Sequence, residues 1–194
     1  MPSETATEIA PASTDVVTVL TGQHDLAREI LAELHETVAA VAEITQDMAG
    51  PFRRLVALLA AHEAAEELVV YPALRTKLQK GILAGEIVAE EDEARRRLAR
   101  LEKLAAGFFA FPDALAEFEE AILAHAAHEE QAVFPILEAG LPAAERARLG
   151  ADVRYAEAKA PSHAHAHSPH GAVGHAVLDP VIATLDRFRD AVRN

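Results

Sequence analysis

Ala61 to Pro72 reads AHEAAEELVVYP and Ala124 to Pro135 reads AHAAHEEQAVFP, two versions of one segment. With Tyr71 laid on Phe134, His62 falls on His125, Glu66 on Glu129, Glu67 on Glu130 and Pro72 on Pro135. Each copy sets a His four residues ahead of a Glu, so imidazole and carboxylate stand one turn apart on the same helix face. Two such helices facing each other supply two His and two Glu to one shared site, at the spacing of metal ligands.

Outward from these segments the chain reads as four amphipathic helices. A first helix is predicted from the N-cap formers at Ser13 to Asp15 to about Asp47, ahead of the Ala49-Gly50-Pro51 break. Its seam is Val17, Leu20, His24, Ala27, Leu31, Leu34, Val38 and Val41, at alternating intervals of three and four. The second helix opens at Pro51 and carries Phe52, Leu55, Leu59, His62, Glu66, Val69 and Ala73, with Pro72 kinking it before Gly81 ends it. The third, about 84 to 106, has Ile87, Glu91, Ala94, Leu98, Leu101, Ala105 and Phe108 on its seam. The fourth starts near Pro112 and Asp113 and presents Leu115, Phe118, Ile122, His125, Glu129, Ala132 and Ile136, with a second Pro break at Pro135 before Gly140.

In an up-down bundle, residues at equal height are equidistant from the turn that joins their helices. The midpoint of Glu66 and Glu91 falls at about residue 78, and that of Glu91 and the 125/129 pair at about residue 109, both in turn-like sequence. The midpoint of His24 and His62, at about residue 43, falls ahead of the expected break and calls for a bend or an overhang in the first helix.

Composition agrees with this class. At 194 residues the chain suits one domain with a sizeable core, and 51% apolar residues with only 5% aromatics and no Trp indicate close-packed helices. A net charge of −13 without a Lys/Arg cluster excludes a nucleic-acid groove binder. There is no Cys, so any metal is held by N and O donors. The N-terminal stretch MPSETATEIAPASTD lacks a basic and apolar leader pattern, and no segment approaches the length of a bilayer span, which leads to an expectation of a cytoplasmic protein without a membrane partner.

A lone seam His is ordinarily a satisfied core residue. Six inward His and Glu side chains, His24, His62, Glu66, Glu91, His125 and Glu129, spread over four helices, are different: unpaired they cost several kcal/mol, and a divalent metal pair satisfies them together. Glu63, His128 and Glu130 flank the set as additional ligands or as hydrogen-bond partners of the ligands. Tyr71 reads as a packing residue and His35 as surface.

With His24-Asp25-Leu26, His62-Glu63-x-x-Glu66-Glu67 running into Tyr71-Pro72, and His125 through Glu129-Glu130 into Phe134-Pro135, residues 15 to 140 resemble the hemerythrin-like, or HHE cation-binding, family. The resemblance implies an oxo- or hydroxo-bridged pair of Fe ions inside a four-helix bundle. It also implies roles that range over O2 binding, iron or oxygen sensing, and peroxide or nitric oxide chemistry. His24, His62, Glu66, His125 and Glu129 match the family's ligand pattern, whereas helix 3 departs from it by placing Glu91 where the family usually has His. Three His and three carboxylates make a harder, oxygen-rich site, which stabilises a ferric state and favours O2 or peroxide activation over reversible release; Mn or Zn also suit such donors. The expectation is a di-iron oxidoreductase acting on O2, peroxide or nitric oxide, and the alternative is a non-catalytic O2- or iron-binding or sensing module.

The expected organisation is all-α: a disordered segment at 1–12, an up-down four-helix bundle at 13–158, a His/Pro-rich linker at 159–175 and a short amphipathic helix at 176–194 that docks on the bundle. The tail, with His163, His165, His167 and His170 ahead of Asp186-Arg187-Phe188-Arg189-Asp190, resembles that of actinobacterial members of the family.

Overall fold

The computed structural model describes residues 14–40, 46–104 and 111–159. The expectations for 1–12, for the His-rich stretch beyond Lys159 and for the terminal helix lie outside these residues. Every element among the described residues is helical: α1 (Val16–Ala40), α2 (Gln46–Ala65), a π-helical segment (Glu66–Val70), α3 (Tyr71–Thr76), α4 (Gly81–Leu104), α5 (Phe111–His128), a second π-helical segment (Glu129–Val133), α6 (Phe134–Gly140) and α7 (Ala143–Lys159). α2 and α3 are one bundle helix joined through a π turn, as are α5 and α6. With α1 and α4 they form the four-helix bundle that the seams predict.

Asp15 caps α1 as expected, accepting from the Val17 N–H at 3.0 Å. α1 is described as far as Ala40 and α2 from Gln46, with Pro51 inside α2 rather than at its start, and the expected end of the first helix lies outside the described residues. A Pro this close to a helix start removes one early backbone hydrogen bond and is tolerated there more easily than deeper in the helix. The bend or overhang expected near residue 43 lies outside the described residues. Gly81 does not end helix 2 but opens α4; the reversal is made by Gln79, at φ 55°, with the Lys80 N–H folded back onto the Leu74 carbonyl at 2.7 Å. Residue 78 falls between α3 and α4, so Glu66 and Glu91 stand level across that reversal, and residue 109 lies outside the described residues.

The prolines act differently from a simple kink. An α-helical Pro72 would lack its N–H and press its ring on the carbonyl four residues back. Here the turn before it widens, and the Tyr71 N–H reaches the Glu66 carbonyl five residues back; Phe134 N–H does the same to Glu129. A π turn holds one residue more than an α turn, so the seams beyond it slip by one. Val70, Val133 and Leu137 are buried where Val69, Ala132 and Ile136 are expected, and Tyr71 and Phe134 turn inward with them.

Two apolar clusters result. One is built on Leu31, Leu34, Phe52, Leu55, Leu101, Phe111, Leu115 and Phe118. The other is built on Leu20, Val70, Tyr71, Leu74, Ile87, Val133, Phe134 and Leu137. α7 is a fifth helix that packs on α1, α2 and the first π segment. Its apolar residues are too sparse for a seam to be read from sequence, and Leu149, Gly150 and Val153 are its buried positions. Gly150 is required by close approach, since a Cβ there would lie 1.7 Å from the Thr14 carbonyl oxygen.

Candidate metal centre

Between the two apolar clusters lies a polar belt. α1 contributes His24, α2 His62, the first π segment Glu66, α4 Glu91, α5 His125 and the second π segment Glu129, with exposures between 0% and 8%. One donor atom from each of His62, Glu66, His125 and Glu129 lies within 4.8 Å of all the others. Glu129 Oε2 is at the middle, 3.2 Å from His24 Nε2, 3.7 Å from His125 Nε2 and 3.9 Å from His62 Nε2. Glu66 Oε2 stands 3.2 Å from His62 Nε2.

These donors are close to one another yet not in hydrogen-bonding geometry. The Nε2 atoms of His24, His62 and His125, Glu66 Oε1 and both Glu129 oxygens are buried without a hydrogen-bond partner. Each such atom costs about 1–3 kcal/mol, so the belt is a liability unless something binds it. A cation with N/O preference answers all of them, and a set without sulfur suits Fe, Mn or Zn alike.

The outer nitrogens of His24 and His62, by contrast, have partners. His24 Nδ1 lies 2.9 Å from Glu130 Oε1, which also accepts from Arg28 at 2.7 Å. His62 Nδ1 lies 2.6 Å from Gln23 Oε1. His125 Nδ1 stands 3.5 Å from Glu90 Oε2 without a hydrogen bond, while the other oxygen of Glu90 faces His128 Nδ1 at 2.7 Å. With the outer nitrogen protonated, each ring turns a lone pair inward, the arrangement that orients metal-binding histidines. Glu130 and His128 therefore occupy supporting positions around the belt.

Glu91 is buried but stands apart from the four-atom cluster. Its Oε1 accepts from the Tyr71 hydroxyl and its Oε2 from Arg95 Nη2 at 3.0 Å. Burial, with the Glu63 charge added, pushes its carboxyl up to about 9 against the pull of Tyr71 and Arg95. Glu63, the other possible ligand, takes Arg95 Nε at 3.1 Å, and burial lifts it to about 7 in spite of that cation. Burial and the charges of Glu129 and Glu91 raise Glu66 well above the carboxylate range. Burial would raise Glu129 too, but the imidazoles of His24, His62 and His125 outweigh it and hold that carboxyl well below its ordinary value.

Tyr71 is part of the site rather than packing alone: its hydroxyl also lies 3.3 Å from Glu66 Oε2, so it spans two carboxylates, and burial keeps its proton in place. Phe134, its counterpart in the second copy, stacks on His24 at 5.5 Å between ring centroids and 14° between planes. The sequence reading also misses Arg95 and Gln23. Their signal was faint, an Arg one turn after Glu91 and a Gln beside His24. His35 is at the surface against Glu119. A small cavity with room for a water-sized molecule touches all three imidazoles together with Gln23, Glu63 and Glu91, and the rest of its wall is apolar, with Leu58, Leu59, Ile122 and Leu123.

The model of the hemerythrin HHE cation-binding domain matches residues 15–137. The chain belongs to that family. No curated protein and no solved structure matches it. The HHE domain match runs from the capping residue of α1 into α6 and leaves α7 beyond it. Among the described residues of this HHE protein, no helix is long and apolar enough to cross a membrane.

Proposed function

We propose that this HHE domain is a non-haem di-iron protein that reacts with O2, peroxide or nitric oxide, with His24, His62, Glu66, Glu91, His125 and Glu129 as ligands. The observation that carries this reading is the set of inward, partnerless donor atoms on three His and two Glu, backed by outer hydrogen bonds that fix the His24 and His62 rings. Iron, when bound, supplies the electrons that such oxidants accept. The residues supply the rest. The apolar wall of the cavity excludes bulk water and admits a ligand of diatomic size. Tyr71 and Arg95 hold Glu91 in place, and each takes only one of the lone pairs on its oxygens, which leaves Glu91 capacity to ligate. Carboxylates in this number favour the oxidised metal, so the reading is a peroxide- or O2-reducing protein rather than an oxygen carrier.

Elemental analysis of protein grown with iron and stripped of loosely held ions is the test, together with its near-ultraviolet and visible spectrum. About two irons per chain, with absorption that changes on adding peroxide or O2, is the expected result. Iron that binds without responding to either oxidant or to nitric oxide would shift the reading to a binding or sensing module. Zinc in place of iron would overturn the redox function.

A further inference from the structure

The three imidazoles turn lone pairs inward only while their protons sit on the outer nitrogens, and for His62 that choice is made outside the bundle. Glu130 and Glu90, beside His24 and His125, are carboxylates that can only accept. Gln23, beside His62, is an amide with one accepting and one donating end, so by itself it can meet either tautomer. Its Oε1 faces His62 Nδ1 at 2.6 Å, while its Nε2 donates to Glu157 Oε1 on α7. Glu157 can only accept. It therefore claims the amide NH2 and turns the carbonyl to His62, where only an Nδ1–H can answer it. His62 Nε2 is left with a free lone pair 3.2 Å from Glu66 Oε2.

We propose that Glu157 is a positioning residue of the cation site, fixing the tautomer of His62 through Gln23 and so making α7 a working part of the metal centre. Nothing in the HHE domain match, which ends at residue 137, covers this contact. α7 is held where the contact needs it. Val153, one turn before Glu157, is fully buried, and Gly150 lets the helix backbone close on Thr14. Glu157 itself is partly buried, with Arg154 as the nearby positive charge.

The inference rests on the cation-binding reading, but the tautomer can be read without a metal. The full chain, labelled with 15N-histidine and metal-free at about pH 8, would be studied by long-range proton–nitrogen NMR, and the affinity of each variant for Zn(II) alone would be measured. Wild type should show His62 with its proton on Nδ1. In Glu157→Lys the ammonium donates to the Gln23 oxygen, flips the amide and moves the His62 proton to Nε2. Zn(II) affinity should fall about 10- to 100-fold, the usual loss when a ligand's supporting partner is removed. Glu157→Ala should give mixed tautomers and a smaller loss. Adding Gln23→Glu to Glu157→Ala supplies an acceptor-only neighbour, and should restore both the tautomer and the affinity. A His62 proton on Nδ1 in every variant would overturn the proposal. So would a Glu157→Ala loss that Gln23→Glu fails to rescue, which would mean that α7 acts by packing alone. A wild-type chain that binds neither Zn(II) nor Fe(II) would sink the cation-binding reading instead, while the NMR comparison would still decide the role of Glu157.

Discussion

Tyr71 and Phe134 occupy matching places in the two copies of the repeated segment, and the hydroxyl is what separates them. It donates to Glu91 and approaches Glu66, two buried carboxyls that share a raised proton affinity. Tyr71→Phe keeps the ring, a shape that the second copy already accommodates, and removes only the donor. The metal-free protein should lose about 1–3 kcal/mol in chemical denaturation, the cost of stranding a buried acceptor. A change within error would show that Glu91 is satisfied by Arg95 alone. At this scale the six inward His and Glu were legible in the sequence, because spacings of three and four translate directly into one helix face. Tyr71 was not, because a residue five after Glu66 lies off that face on a straight α-helix and joins it only across a π turn. Arg95 was hidden for another reason. A long cation beside several acidic residues reads as solvated surface, whereas here it reaches Glu63 and Glu91 at 3.1 Å and 3.0 Å.

The two π turns raise the question of what holds them at the level of the element. Pro72 and Pro135 remove one backbone donor each, worth about 1 kcal/mol. Val70, Tyr71 and Leu74 are all fully buried beyond the first turn, and each contributes about 1.5–3 kcal/mol by leaving water. Packing therefore outweighs the proline. Pro72→Ala should keep the π turn and leave the near-ultraviolet circular dichroism of Tyr71 intact, a clean signal in a chain with no Trp and two Tyr. Its stability should shift by no more than about 1 kcal/mol. Loss of that signal would show that the proline dictates the turn. Helix existence and pairing were legible from the seams, while the ends were not: Pro51 lies inside α2 instead of opening it, and Gln79 rather than Gly81 makes the reversal. α7 was illegible because it contributes Leu149, Gly150 and Val153 in place of a stripe. Gly150→Ala tests its docking directly. With the Thr14 oxygen 1.7 Å from the new Cβ, the backbone must move, and a destabilisation of about 1–3 kcal/mol in thermal or chemical melts is expected. An unchanged melt would mean that α7 is not held against α1.

For the molecule as a whole, the belt couples folding to pH. Glu63 and Glu91 have proton affinities raised to about 7 and about 9 in the folded chain, so the folded state binds more protons than the unfolded one. That contribution to stability is complete below the unfolded carboxylate range and is lost as pH climbs through the folded values. His62 acts in the opposite sense, since burial lowers its affinity and its contribution is lost in acid, below its ordinary value of about 6.5. Between about pH 6.5 and 9 the carboxyl effect stands alone, and the metal-free protein should melt at progressively lower temperature as pH rises. Melting curves across that range check it. A flat or rising trend would mean that Glu91 is already ionised in the folded protein.

The Tyr71/Phe134 difference also makes the two halves of the belt unequal. One copy of the repeated segment sets a hydroxyl between two acids, Glu66 and Glu91, and the other lays a hydrocarbon ring against His24, where it can neither donate nor accept. Two copies of one segment thus enclose the same donors, and a single oxygen atom on one ring gives their shared centre a wet side and a dry one.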